Sequence, residues 1–232
     1  MIMLKSADFH KLGSKFSKSE ERGMSLLSEN DRVVFCPGVS TGGFAEMRMA
    51  TGNPRRRIIA TTIDRKGLQE TRNILRESGF SKQVEIRYED VRKPMPYRND
   101  YFDFIYARCI LHYLSKQELD ATLKEMHRVL KPRGRFFIVA KSKDDWESSL
   151  EGSRYDKLTG MITYPVYDSK MRKTDRTQTR YFHSKKTISA HLEKSGFKIL
   201  GIRQYKEQLY HDYMRTIPTP KLSGVIEVVA QK

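Results

Sequence analysis

Cysteine is almost missing from these 232 residues, with Cys36 and Cys109 the only two. A disulfide scaffold is excluded, because small cross-linked folds are dense in cysteine. Two thiols inside apolar runs are instead expected to be buried and free in a reducing compartment. No apolar run approaches the length of a membrane span, and the start at Met1–Lys5 lacks a signal peptide's apolar stretch. A cytoplasmic chain with no membrane partner is therefore expected. Acidic residues are short as well: 28 Asp and Glu stand against 44 Lys and Arg, a net charge of +16. The histidines, His10, His112, His127, His183, His191 and His211, form no ligand-spaced cluster, so no metal is expected.

What is present suffices for a globular fold. A hydrophobic fraction of 38%, with 10% aromatics, supplies a core and excludes general disorder. The pattern favours a single domain over 1–232, with an N-terminal helical segment over 1–30 and an insertion or lid over 141–183. The surplus charge attracts polyanions, and its placement matters more than its total. In the first thirty residues the signs nearly cancel. Between 170 and 186, Lys170, Arg172, Lys173, Arg176, Arg180, Lys185 and Lys186 face Asp175 alone. Arg55, Arg56 and Arg57 form a second cluster. Each cluster reads either as a solvated face or as a site for an anionic acceptor or RNA.

Apolar runs at 32–36, 57–63, 84–88 and 101–110 read as strands, the first stopped by Pro37 and Gly38. Helices are expected at 44–50, ended by Gly52 to Pro54, and at 66–78, with Gly79 just past the end. Ser115 and Glu118 have the form of a capping box. It opens a helix whose apolar face is Leu119, Leu123, Met126 and Leu130 and which Pro132 and Gly134 end. A strand follows at 135–140, then a less regular polar stretch over 141–182. A helix from Ser184 to Glu193 stops at Gly196, and strands near 197–203 and 224–230 form an antiparallel pair. Strands alternating with helices indicate an α/β fold: a mostly parallel, Rossmann-like sheet with helices on both faces.

Ligands in such sheets bind where the strands end. Four segments of this chain lie there: the glycine-bearing turn Gly38 to Gly43, Asp64, the pair Glu89 and Asp90, and Tyr106 to Tyr113. Asp64 reads either as a ribose-hydroxyl acceptor or as a helix cap. Gly38, Gly42 and Gly43 lack the spacing of a nicotinamide dehydrogenase fingerprint.

Three stretches carry a family resemblance. They are Val33 to Ala45, Tyr88 to Tyr97 leading to Tyr106, and His127 to Gly134 with the strand Arg135 to Val139. Together they resemble the class I S-adenosylmethionine-dependent methyltransferases, in particular those that act on small molecules. The resemblance implies a seven-stranded sheet ending in an antiparallel hairpin, with S-adenosylmethionine as cofactor. It implies that Gly38, Ser40 and Gly42 bring backbone against the methionine and ribose portions, and that Asp64 binds the ribose hydroxyls with Arg65 beside the adenine. Asp90 and Val91 would meet the adenine edge, and Ala107 would lie on the strand passing the methionine end. Two positions depart from the family pattern: Cys36 stands where an acid is usual and Ser40 where a glycine is. A weakened cofactor site is the expectation, since one charged hydrogen bond contributes about 1.5–3 kcal/mol.

The implied reaction is an in-line displacement that needs positioning more than a fixed catalytic triad. If a base is required, His112 is the candidate, and its alternative is packing beside Leu111 and Leu114. Arg108 reads as holding an anionic acceptor or capping its strand. Tyr155, Tyr164, Tyr167, Tyr181 and Phe182, with Trp146, read as an aromatic lid or as a satellite core. Tyr181 and Arg108 are the substrate candidates. The alternative to an active enzyme is a retired methyltransferase fold that binds nucleic acid or acts as a scaffold.

Overall fold

The apolar runs that end at turns and helix caps become the strands of one sheet. The computed structural model describes residues 17–39, 42–168, 170–210 and 217–232. Strands β1 (Val33–Pro37), β2 (Arg57–Thr62), β3 (Val84–Tyr88), β4 (Phe102–Arg108) and β5 (Leu130–Lys141) are mutually parallel. Two more, β9 (Lys198–Glu207) and β10 (Ser223–Gln231), complete the order β3-β2-β1-β4-β5-β10-β9, in which β10 runs opposite to the other six. The terminal hairpin expected from the sequence is thus present.

Both faces of the sheet are covered, which is why its strands are continuous apolar runs rather than alternating ones. On one face, Phe35, Phe136 and Ile138 pack against helices α4 (Lys116–Val129) and α5 (Lys185–Lys194) through Leu119, Leu123, Met126, Ile188 and Leu192. On the other, Val34, Cys36, Phe104 and Phe137 pack against α2 (Phe44–Thr51) and α3 (Arg65–Glu77). Helix α1 (Lys18–Ser25) precedes every strand in chain order but is tied to the last two: Ser19 donates to Glu207, and Arg22 pairs with Glu227. The expected helical segment over 1–30 is seen only in this part, because residues 1–16 lie outside those described.

The capping box at Ser115 is formed. Its hydroxyl accepts from the Glu118 N–H at 3.3 Å, while Glu118 accepts from the Ser115 N–H at 2.9 Å. Such a cap contributes about 1 kcal/mol. The helix ends earlier than the proline suggested. Leu130 already belongs to β5, which continues through Pro132 and Gly134. The strand survives there because its register against β4 shifts: Phe102 faces Leu130, but Phe104 faces Arg135. Within this bulge Arg133 adopts φ +65°, and a Cβ on Gly134 would lie 2.8 Å from the Lys131 carbonyl oxygen. The Lys-Pro-Arg-Gly run is a backbone device at the far end of the sheet from the strand termini that bind ligands.

The stretch over 141–182 is more regular than expected. It contains a separate antiparallel sheet of β6 (Arg154–Tyr155), β7 (Ile162–Tyr167) and β8 (Lys173–Arg180). Cys36 is buried as expected, but Cys109 is half-buried, outside β4, in the left-handed region at φ +58°. His191 is tied in on both sides: its Nδ1–H donates to the Asp120 carboxylate at 2.5 Å, and its Nε2 meets the Tyr181 hydroxyl at 3.2 Å.

The Arg55 to Arg57 cluster is also corrected. Arg57 pairs with Glu85, and Arg56 is buried, donating to the carbonyl oxygens of Ser28, Asp31 and Met49 at 2.7–2.9 Å. It clamps the loop before β1 and offers no charge to a ligand. Replacing it strands three carbonyl groups, so Arg56→Met should lower unfolding free energy by roughly 2–4 kcal/mol. A urea melt within about 0.5 kcal/mol of wild type would show the clamp to be dispensable.

Candidate active site

A cleft of about 840 Å³ opens at the carboxyl ends of β1 and β4. Its floor is the turn after β1. Gly38 leaves the strand at φ +72°, and a Cβ there would lie 2.5 Å from Ile110. Glycine is thus required both by the left-handed backbone and by the side chain opposite. The turn is held from outside: Val39 donates to the Thr61 carbonyl, and Gly42 donates to the Thr71 hydroxyl at 3.1 Å. Gly43, at φ +60°, begins α2. Ser40, expected in this turn, lies outside the described residues.

The wall nearest the turn is acidic. Glu46 in the first turn of α2 and Glu20 of α1 both line the cleft and are almost wholly buried. Burial, with Glu20 adding to it, pushes the Glu46 carboxyl up to about 7. The Cys36 thiol is held above its ordinary range by burial and by the Glu46 charge. Tyr106, on β4, lines the same wall, and its buried hydroxyl has no hydrogen-bond partner among the described residues.

The opposite wall is a satisfied polar network. Lys141 reaches Asp145 at 3.1 Å and also Glu147, which accepts from the Tyr164 hydroxyl at 3.0 Å. Arg180 donates to that hydroxyl at 2.7 Å and to Gln178 at 2.5 Å, and its guanidinium lies 4.6 Å over the Tyr113 ring. Arg176 lines the lid side and has no ion pair among the described residues.

The substrate and base candidates fall differently from their sequence reading. His112 lines the cleft but is wedged between two N–H donors, the Lys141 amide 3.3 Å from Nδ1 and the Arg180 guanidinium 3.1 Å from Nε2. Burial and the Arg180 charge hold its pKa well below the ordinary value. A proton accepted there would face a cation, so the general-base expectation does not fit this geometry. Arg108 holds no open anion site. It donates to Ser19 at 2.8 Å and Ser17 at 2.6 Å and lies 3.7 Å from Glu207. Tyr181 is 5% exposed, packed in the core with its hydroxyl on His191, and does not line the cleft. Of the aromatic lid, Trp146 and Tyr167 line the cleft, Tyr164 reaches it through its hydroxyl network, Phe182 is core, and Tyr155 is 62% exposed.

The positions implied by the resemblance for adenosine cluster around the next strand ends. Asp64 caps α3, its Oδ1 accepting from the Lys66 N–H at 3.0 Å, and is exposed. Arg65 sits 4.4 Å over the Tyr88 ring. Asp90 and Val91, with Ile63 and Tyr88, line a second cavity of about 510 Å³. Arg92 grips both Asp90 oxygens and holds that carboxyl below its ordinary range. Ala107 is fully buried within β4, packed in the core, and lines neither cavity. Glu46 was missed as a cleft-lining residue, and Tyr106 was placed only within a strand-end segment; the signal available for Glu46 was a glutamate in the first turn after the glycines.

The arrangement has relatives. Residues 35–138 match the family model described as a methyltransferase domain. The chain is an S-adenosylmethionine-dependent methyltransferase, similar to the class I group. A ubiquinone/menaquinone biosynthesis C-methyltransferase, UbiE, of Pseudomonas putida is 24% identical over 208 residues, 89% of this chain and 76% of that protein. The methyltransferase fold is shared with solved structures. One from Methanosarcina mazei has a TM-score of 0.66 at 17% identity, covering 90% of this chain and 95% of that one. Another from Clostridium acetobutylicum has 0.64 at 14% identity, covering 97% and 95%. The methyltransferase has no described helix long and apolar enough to cross a membrane.

The turn at Gly38 provides a test of the floor. Gly38→Ala adds left-handed strain and a clash with Ile110, so stability should fall by roughly 2–4 kcal/mol. Pairing it with Ile110→Ala removes the clash but not the strain. A double-mutant cycle should therefore return a coupling of at least about 1 kcal/mol, and additive effects would exclude the close packing of Ile110 on this turn.

Proposed function

We propose that this methyltransferase methylates a small acceptor bearing an anionic or phenolic oxygen, bound beneath the lid sheet β6–β8 of segment 141–183. The observation that carries this is the continuity of the cleft, from Gly38 and Tyr106 at the strand ends to Tyr167 and Arg176 of the lid. Its volume falls within the range of small-molecule sites. S-adenosylmethionine is the cofactor, and the residues present fit it. A buried carboxylate and an unpartnered hydroxyl face the cleft beside the glycine turn, and Asp64 and Asp90 keep carboxylate lone pairs available, since each oxygen accepts more than one bond.

When bound, the cofactor supplies a methyl group already activated by a positive sulfur, so no side-chain nucleophile is needed. In this reading Gly38 and Gly42 meet the cofactor through backbone, with Ala107 on the neighbouring strand. Asp64 receives the ribose hydroxyls, Arg65 lies beside the adenine, and Asp90 and Val91 meet its edge. On the acceptor side, Arg176 and Arg180 favour the ionised form of an acidic oxygen. A phenolate delocalises its charge onto ring carbons, so the attack on the methyl group needs no protein base; the sulfur leaves with its electron pair, and the methylated ring carbon then gives up its proton to water, with His112 held between two donors and not called on. The Pseudomonas relative's name, a C-methyltransferase, supports carbon as the atom methylated. An RNA partner through 170–186 draws less support: Arg180 is buried and Arg172 pairs with Asp168 at 2.7 Å.

Calorimetric titration with S-adenosylmethionine and its demethylated product should give micromolar binding. No heat up to millimolar ligand would return the chain to the retired-binder reading. Asp64→Ser keeps a helix cap but removes the carboxylate, and should weaken cofactor binding about tenfold with little change in stability. Arg176→Glu should raise the acceptor KM about tenfold or more while leaving cofactor affinity unchanged. An equal loss for both ligands would remove Arg176 from the acceptor side.

A further inference from the structure

A carboxylate shut away from water is stable as an anion only beside a cation or several donors. Among the described residues Glu46 has no such cation. It forms no ion pair with a described residue, and its backbone contact is with its own N–H. The groups acting on it and around it are acids or weak acids: Glu20 from α1, Cys36 from β1 and Tyr106 from β4. The nearby cations are engaged elsewhere, Arg48 with Glu20 at 3.6 Å and Arg108 with Ser17, Ser19 and Glu207. Both Glu46 and Tyr106 line the cleft next to the glycine turn, and the Tyr106 hydroxyl is buried without a partner among the described residues. An acidic wall with an unused hydroxyl acceptor is a receptor for a small, multiply donating cation.

We propose that Glu46 and the Tyr106 hydroxyl form the subsite that receives the α-ammonium group of S-adenosylmethionine. The inference rests on the cofactor reading above and adds to it which residues take the amino-acid end. An ammonium offers three N–H donors, enough to bond the Glu46 carboxylate and the Tyr106 oxygen together. The pocket is thereby neutralised on binding, and the strain of an isolated buried charge is relieved.

The test compares two ligands on the intact protein: S-adenosylhomocysteine, which carries the ammonium, and 5′-methylthioadenosine, which lacks the amino-acid portion. Glu46→Gln preserves shape and removes charge. It should weaken S-adenosylhomocysteine about tenfold or more and leave methylthioadenosine within about twofold. Tyr106→Phe should act in the same direction by about threefold to tenfold. Wild-type affinity for S-adenosylhomocysteine should fall as pH drops below about 7, because a protonated Glu46 must release its proton to bind a cation, and Glu46→Gln should flatten that limb. The melting temperature of Glu46→Gln at pH 8 should equal or exceed that of wild type. Unchanged binding of both ligands, or equal losses for both, would overturn the ammonium assignment while leaving the cofactor site standing. Failure of the wild type to bind either ligand would overturn the cofactor reading and this subsite with it.

Discussion

A guanidinium at the carboxyl end of a central strand must be surrounded by oxygen, and the way Arg108 meets that requirement shapes the cleft. It is mostly buried, and it gathers Ser17 and Ser19 from α1 and Glu207 from β9 around one planar cation. A buried charge left without such partners would cost several kcal/mol. The chain therefore brings its N-terminal helix over the strand ends and fixes the cleft's acidic wall, since Glu20 sits on that same helix. The residue that the sequence suggested for holding a ligand holds the architecture around the ligand instead.

The cleft that results is electrically divided. Beside the glycine turn stand Glu20 and Glu46; towards the lid stand Arg176 and Arg180, with Lys141 held by Asp145 and Glu147. Charges in a confined, poorly hydrated space act more strongly than on a surface. A ligand with a positive amino-acid end and a second ligand with an oxyanion would be sorted to opposite ends without any moving part. His112, pinned between two donors, keeps the middle of the lid wall uncharged.

The parallel sheet was legible because strands covered on both faces must be apolar throughout, as Ile58 to Ala60 and Phe136 to Ala140 are. Helix ends were legible where a side chain closes on a backbone group, as at Ser115 and Ser184. The lid sheet was not, since β8 reads Lys-Thr-Asp-Arg-Thr-Gln-Thr-Arg and carries almost no apolar alternation to mark it. Pro132 misled because a bulge lets a strand carry proline and a left-handed Arg133 in sequence. For the site, glycine positions could be read from the spacing, but partners could not. Nothing near Arg108 in sequence announces Ser17 or Glu207, and nothing near Tyr181 announces His191. Burial of Glu46 likewise follows from the packing of α1 and α2, which no local pattern encodes.

The single antiparallel strand has a consequence in time as well as in space. Glu227 on β10 and Glu207 on β9 anchor α1, which carries Glu20 to the cleft. Residues made first therefore wait for residues made nearly two hundred positions later before their side of the pocket exists. During synthesis the five parallel strands can assemble in order, but the wall that carries Glu20 is anchored at both points only once residues 223–231 have emerged from the ribosome. A chain stopped before these last strands would keep the turn after β1 but lack both anchors of the helix that brings Glu20 to the cleft.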